Sequence, residues 1–121
     1  MSPKPKKDLA REHIQTALED YERGSENDAV NALFYAAEAA VVALADYHGI
    51  NTQQRHNLKA DAATELFLRK LIDQDFGPLL RELNQARKDI WYEGDEPDFE
   101  DGLEDVIAQV EELVSAAEEQ A

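Results

Sequence analysis

Asn84-Gln85-Ala86-Arg87-Lys88-Asp89-Ile90-Trp91-Tyr92-Glu93-Gly94 is the stretch that decides how this chain reads. Leu79, Leu83, Ala86 and Ile90 recur at helical spacing, so a helix runs into it, and Gly94 offers the stop. The lone Trp, an Arg and a Tyr crowd that helix end. Arg87 follows Leu83 by four residues, at the edge of the apolar stripe. A guanidinium keeps its charge at any ordinary pH, so burial there requires a carboxylate, a partner subunit or an anionic ligand. A stem laid along the core with its head in water satisfies the same spacing.

Outward from this stretch the pattern is helical throughout. Gly77-Pro78 opens the helix that contains it, with Pro78 suited to a first turn. Towards the N-terminus, a third helix is expected to run to about Gln74 through Leu58, Ala62, Leu66, Phe67 and Leu71, capped by Asn51 or Thr52. The second helix carries Val30, Leu33, Ala37, Val41 and Leu44, with a capping-box-like Ser25-Glu26-Asn27-Asp28 before it. Its many alanines favour helix and close approach of neighbours. Ala10, Ile14, Ala17, Leu18 and Tyr21 mark the first helix, and residues 1–7 read as a disordered basic tail. Beyond Gly94, Glu96 or Asp98 is expected to cap a last helix through Phe99, Leu103, Val106, Val110, Leu113 and Ala117. The fold class is all-α: one domain over residues 8–121, an antiparallel bundle of four to five helices.

Composition narrows the function. The 121 residues hold 27 acidic against 12 basic side chains, a formal net charge of −15. Nucleic acid is therefore not drawn by the whole surface, and any such activity rests on a local basic site, which a dimer seam can supply. The absence of cysteine excludes disulfides, thiolate metal sites and cysteine nucleophiles. The longest uninterrupted apolar run, Ala39 to Ala45, is too short to span a bilayer, and a cytoplasmic protein without membrane association is expected.

Most chemistries lack their residues. The positions three before His13, His48 and His56 are Ala10, Ala45 and Gln53, so the Glu-x-x-His pairs of a di-iron bundle are missing. Glu19-x-x-Glu22 is a lone acidic pair, read as a solvated helix face rather than a magnesium site. No phosphate-binding Gly loop, Gly-x-Ser-x-Gly elbow or His-Glu-x-x-His occurs. No metal and no cofactor is expected. His13 and His48 read as structural, whereas His56 follows Arg55 at the opening of the third helix, where it can face the organising stretch.

Three segments together carry a resemblance: Ala32-Leu33-Phe34-Tyr35-Ala36-Ala37-Glu38-Ala39-Ala40-Val41, Arg55-His56-Asn57-Leu58 and Ala86-Arg87-Lys88-Asp89-Ile90-Trp91-Tyr92. The chain resembles the HEPN superfamily of small helical bundles over nearly its whole length after the tail. Many members are metal-independent endoribonucleases, often toxins paired with a nucleotidyltransferase antitoxin. Their mark is Arg, a polar residue, several further residues and then His. Arg87 matches the Arg, and Lys88 or Asp89 the polar position. Tyr92 stands where the resemblance expects the His.

The resemblance thus implies Arg87 and Tyr92 as the catalytic positions, with Asn84, Lys88, His56 and Trp91 binding the ligand. A phenol holds its proton at neutral pH and is a poor general base, so phosphate binding is favoured over cleavage. Residues five apart on a helix point roughly 140° apart, so Arg87 and Tyr92 converge only where the helix ends between them or two subunits meet. The implied protein is a homodimer binding RNA or a nucleotide phosphate in a composite Arg-containing cleft, within a toxin-antitoxin or nucleotidyltransferase-associated system. The alternative is a non-catalytic interaction module that docks a partner chain of the nucleotidyltransferase type, with Trp91 and Phe99 as anchors.

Overall fold

A computed structural model describes residues 4–53 and 55–121, and the expectation for Met1 to Pro3 lies outside them. Five α-helices follow in order: α1 (Lys6–Glu22), α2 (Glu26–Tyr47), α3 (His56–Leu68), α4 (Gly77–Lys88) and α5 (Leu103–Gln120). Lys6 and Lys7 thus belong to the first turn of α1, although the sequence places them in a tail. No strand occurs among the described residues.

The order of contacts fixes the packing directions. Arg11 reaches Glu111 and Glu118, and Tyr21 donates to Glu104 at 2.8 Å, so α1 runs antiparallel to α5. Gly77 sits against Ala60 and Thr64, and Arg81 pairs with Asp61, so α3 and α4 form an antiparallel hairpin. At the open end of that hairpin the start of α3 meets the end of α4, and both lie on α2.

The second helix is the axis of the bundle. Val30, Leu33, Ala37, Val41 and Leu44 are all buried, as the periodicity requires, and the intervening alanines are buried too. A 22-residue helix of this apolarity is long enough to cross a membrane, yet 78% of its most apolar window is inside the bundle. Its apolar surface is consumed by packing. One carboxylate, Glu38, lies in the middle of this helix at 5% exposure.

Three boundaries depart from the sequence reading. Asn51 does not cap α3: its Oδ1 accepts from the Gln53 backbone N–H at 2.9 Å in an Asx turn, and the helix begins at His56 behind Arg55. The same helix stops at Leu68 rather than near Gln74. Lys70 adopts φ +61° there, and the backbone N–H groups of Lys70 and Leu71 return to Phe67 and Leu66 at 2.9 and 3.0 Å, closing the helix without a glycine. Finally, neither Glu96 nor Asp98 caps α5, which starts behind Gly102, leaving Phe99 in the preceding connection but buried in the core.

Candidate functional site

Beyond Lys88 the fourth helix widens into a single π-helical turn, Asp89–Glu93. Such turns insert a residue into the helical ladder and re-aim the side chains beyond them. Ile90 is thereby kept in the core, while Trp91 and Tyr92 are left 58% and 79% exposed. Gly94, at φ +72°, closes the turn: its N–H donates to the Ile90 carbonyl, and that of Asp95 to the Asp89 carbonyl, both at 3.2 Å. The helix therefore does not end between Arg87 and Tyr92. Tyr92 projects into solvent and makes no hydrogen bond among the described residues, so the chain by itself does not bring it to Arg87.

Arg87 is half-buried at the edge that Leu83 predicts. Its Nη2 donates to Asn84 Oδ1 at 2.9 Å, and its guanidinium carbon lies 4.8 Å from the centroid of the buried Phe34 ring. The Nε–H has no partner. It is the one buried side-chain polar atom among the described residues left unsatisfied, although a buried donor without an acceptor costs roughly 1–3 kcal/mol. No carboxylate compensates the charge: Arg87 forms no ion pair among the described residues. Of the three compensations open to a cation at this edge, the carboxylate is thus absent.

The opposite side of Phe34's neighbourhood belongs to α3. The His56 ring centroid is 5.2 Å from that of Phe34, and His56 Nδ1 hydrogen-bonds Glu38 Oε2. Lys59 Nζ approaches the other Glu38 oxygen at 3.5 Å, so the buried carboxylate has a buried cation to offset it. Phe34 and Glu38 are one turn apart on α2, as are His56 and Lys59 on α3, which is why two helix faces suffice to build the cluster. Of the sequence-predicted residues, Arg87, Asn84 and His56 are therefore brought together. Lys88 is exposed beside them, as are Trp91 and Tyr92 on the next turn.

Sequence reasoning missed Phe34, Glu38 and Lys59. A signal existed for one of them: Glu38 is an isolated charge in the apolar run Ala36 to Ala45, where a carboxylate demands a partner. His13 and His48 have packing roles, the first 5.9 Å from the Tyr35 ring and the second bonded to Gln120 at 2.8 Å.

The local charge differs from that of the whole molecule. Arg55, at the head of α3, and Arg87 and Lys88, at the tail of α4, form no ion pairs among the described residues and share one end of the hairpin. Across Ala86 the surface turns acidic, with Asp89, Asp95, Glu96 and Asp98 around a small hollow. An anion is disfavoured on that side. A groove of about 590 Å³ lies at the closed end of the hairpin, between Leu71, Ile72 and Phe76 and the last turns of α5. Asp73, Glu111, Glu112 and Glu119 line it, so it is unsuited to a phosphate. No cluster of three or more metal-ligating side chains occurs among the described residues.

The structure is a five-helix bundle with an arginine held on an aromatic ring at the mouth of its α3–α4 hairpin. The chain belongs to the HEPN family: the HEPN domain model matches residues 7–120. That membership makes it a nucleotide- or RNA-related helical domain in general terms. No curated protein and no solved structure matches it significantly.

Proposed function

We propose that this HEPN domain acts as a homodimer that binds an RNA or nucleotide phosphate in a cleft centred on Arg87. The observation that carries this reading is the half-buried Arg87 guanidinium, which has no ion pair among the described residues. A phosphate at the accessible edge of the guanidinium supplies the counter-charge that the protein withholds, bound by a charge-assisted hydrogen bond. Asn84 fixes the guanidinium from one side and Phe34 from beneath, while His56 and Lys88 flank the ligand.

The exposed Trp91 and Tyr92, one turn beyond Arg87, fit the seam of a dimer in which each chain contributes to the other's cleft. Binding is the expected activity, because the proton-handling His of the family's motif is Tyr92 here. Titration of a labelled single-stranded RNA with the wild-type protein and Arg87→Ala tests the reading. Loss of about 10- to 100-fold in affinity is expected, as for a hydrogen bond to a charged group. Unchanged affinity in Arg87→Ala would overturn it.

The same two aromatic side chains support a second reading, a non-catalytic module docking a nucleotidyltransferase-type partner through Trp91 and Tyr92. Phe99, expected as an anchor in that role, is buried in the chain's own core. Under this reading Trp91→Ala abolishes co-elution with the partner and leaves RNA titrations unaffected.

A further inference from the structure

We infer that the groove between the α3–α4 connection and the last turns of α5 is a docking site for a basic amphipathic helix of a partner protein. It lies at the opposite end of the hairpin from Arg87 and is independent of the reading proposed for that residue.

The chain's own side chains hold this groove open. At one end Gln120 Nε2 donates to the Leu71 carbonyl at 2.7 Å, while Gln120 Oε1 is hydrogen-bonded to His48 at 2.8 Å, tying the ends of α2 and α5 to the connection. Towards the other end Gln74 Nε2 donates to Gln109 Oε1 at 3.3 Å. Between these bridges the groove encloses about 590 Å³, within the range of preformed binding pockets. A partner that enters it therefore meets little ordering cost on this side.

The lining identifies the occupant. The floor is apolar, with Leu71, Ile72 and Phe76 from the connection and Ala116 from α5. Around it Asp73, Glu112 and Glu119 form no ion pair among the described residues, and no Lys, Arg or His lines the groove. The apolar floor separates this site from the acidic hollow at Asp95 and Asp98, whose lining holds no large apolar side chain. Glu112 and Glu119 are seven residues apart on α5, so they bracket one helix face over about 10 Å, with the small Ser115 and Ala116 between them. A helix laid along α5 answers that spacing. Its apolar residues, at three- and four-residue intervals, cover the floor, and Lys or Arg one heptad apart meets the two carboxylates. A second copy of this chain is a poor occupant, since it brings the same acidic rim and a net charge of −15.

The test is fluorescence anisotropy with a labelled peptide of about 15 residues, long enough to form a helix, built of Ala, Leu and Lys in that pattern. A second peptide carries Ala in place of each Leu. The wild type is expected to bind the first peptide saturably and the second about tenfold or more less tightly, through lost apolar burial. Glu112→Gln with Glu119→Gln weakens binding about three- to tenfold, as two exposed ion pairs warrant. Glu96→Gln with Asp98→Asn removes the same charge at the other end of the bundle and changes affinity less than about twofold, because salt screens it there. Ala116→Arg, which puts bulk and a cation into the groove, abolishes binding while the helical circular dichroism stays that of the wild type. Any of four results overturns the inference: no binding of the first peptide, equal binding of the second, equal losses in the two charge-removing variants, or unchanged binding to Ala116→Arg. Self-association of the wild type in sedimentation that Ala116→Arg abolishes would also overturn it, by seating a second copy in the groove.

Discussion

The Arg87 guanidinium carbon lies 4.8 Å above the Phe34 ring, and that aromatic face stands in for the carboxylate that a half-buried cation would ordinarily need. The π-face attracts the cation without neutralising it, so the charge stays available to a ligand. Replacing the ring separates the two functions of Phe34. Phe34→Leu keeps most of the apolar volume and is expected to cost less than about 1.5 kcal/mol in urea unfolding. RNA affinity falls about two- to fivefold, the equivalent of a cation–π contact of about 0.5–1 kcal/mol. An affinity equal to that of the wild type would mean that the ring does not hold Arg87.

The buried Glu38–Lys59 pair gives a second expectation. Glu38→Ala strands Lys59, which is almost as buried as its partner, and an uncompensated buried charge costs about 3–5 kcal/mol. The double variant Glu38→Leu with Lys59→Met removes both charges and recovers most of the loss. Chemical denaturation of the two variants decides it. A double variant no more stable than Glu38→Ala would show that the pair holds the fold by more than mutual compensation.

Gly77 sets how closely α4 approaches α3. A Cβ there would overlap Thr64 Oγ1 and lie 2.9 Å from the Ala60 carbonyl oxygen and 3.0 Å from Asp75 Oδ1. Those atoms are tied together, since Asp75 Oδ1 accepts from Thr64 Oγ1 at 2.7 Å and from the Gly77 N–H at 2.8 Å. Ala has the higher helix propensity, yet Gly77→Ala is expected to lower stability by about 1–3 kcal/mol through overpacking. Equal or higher stability of Gly77→Ala would contradict the close approach.

The acid limb of stability has an identifiable contributor. Arg11 donates to Glu118 at 3.1 and 2.5 Å and to Glu111 at 2.7 Å. These bonds raise the Arg11 value and hold the Glu118 carboxyl below its ordinary range, against a weaker opposing effect of burial. A carboxyl depressed on folding contributes stability that is present above its unfolded value and is lost as pH falls through the folded one. The wild type should therefore exceed Glu118→Gln in stability at neutral pH, by at most about 1 kcal/mol for so exposed a pair. The difference shrinks to nothing in acid, below the folded value. A difference that persists unchanged at low pH would exclude this carboxylate as its source.

How much of this the sequence carried follows from the range of each signal. The stripes of α2 and of α5 beyond Gly102, the first-turn Pro78 and the closing Gly94 are local patterns, and all four appear where their periodicity or backbone preference puts them. The end of α3 was hidden because Lys70, a residue with no turn signature, takes the left-handed conformation. Phe99 continues the spacing of α5 across Gly102, so the pattern alone joined two segments that the backbone separates. At the site, Arg87 was legible from its position beside Leu83. Its floor was not, because Phe34, Glu38, His56 and Lys59 meet across two helices and no spacing within one element encodes that meeting.

The proposed role of the Arg87 guanidinium as an anion ligand is read from its side-chain Nε–H resonance, assigned by its absence from Arg87→Ala. On addition of inorganic phosphate, and again of a single-stranded RNA oligomer, that resonance should shift saturably before those of the ion-paired Arg11 and Arg81. A resonance that stays in place through both titrations would contradict the claim and leave the exposed Trp91–Tyr92 turn as the functional surface.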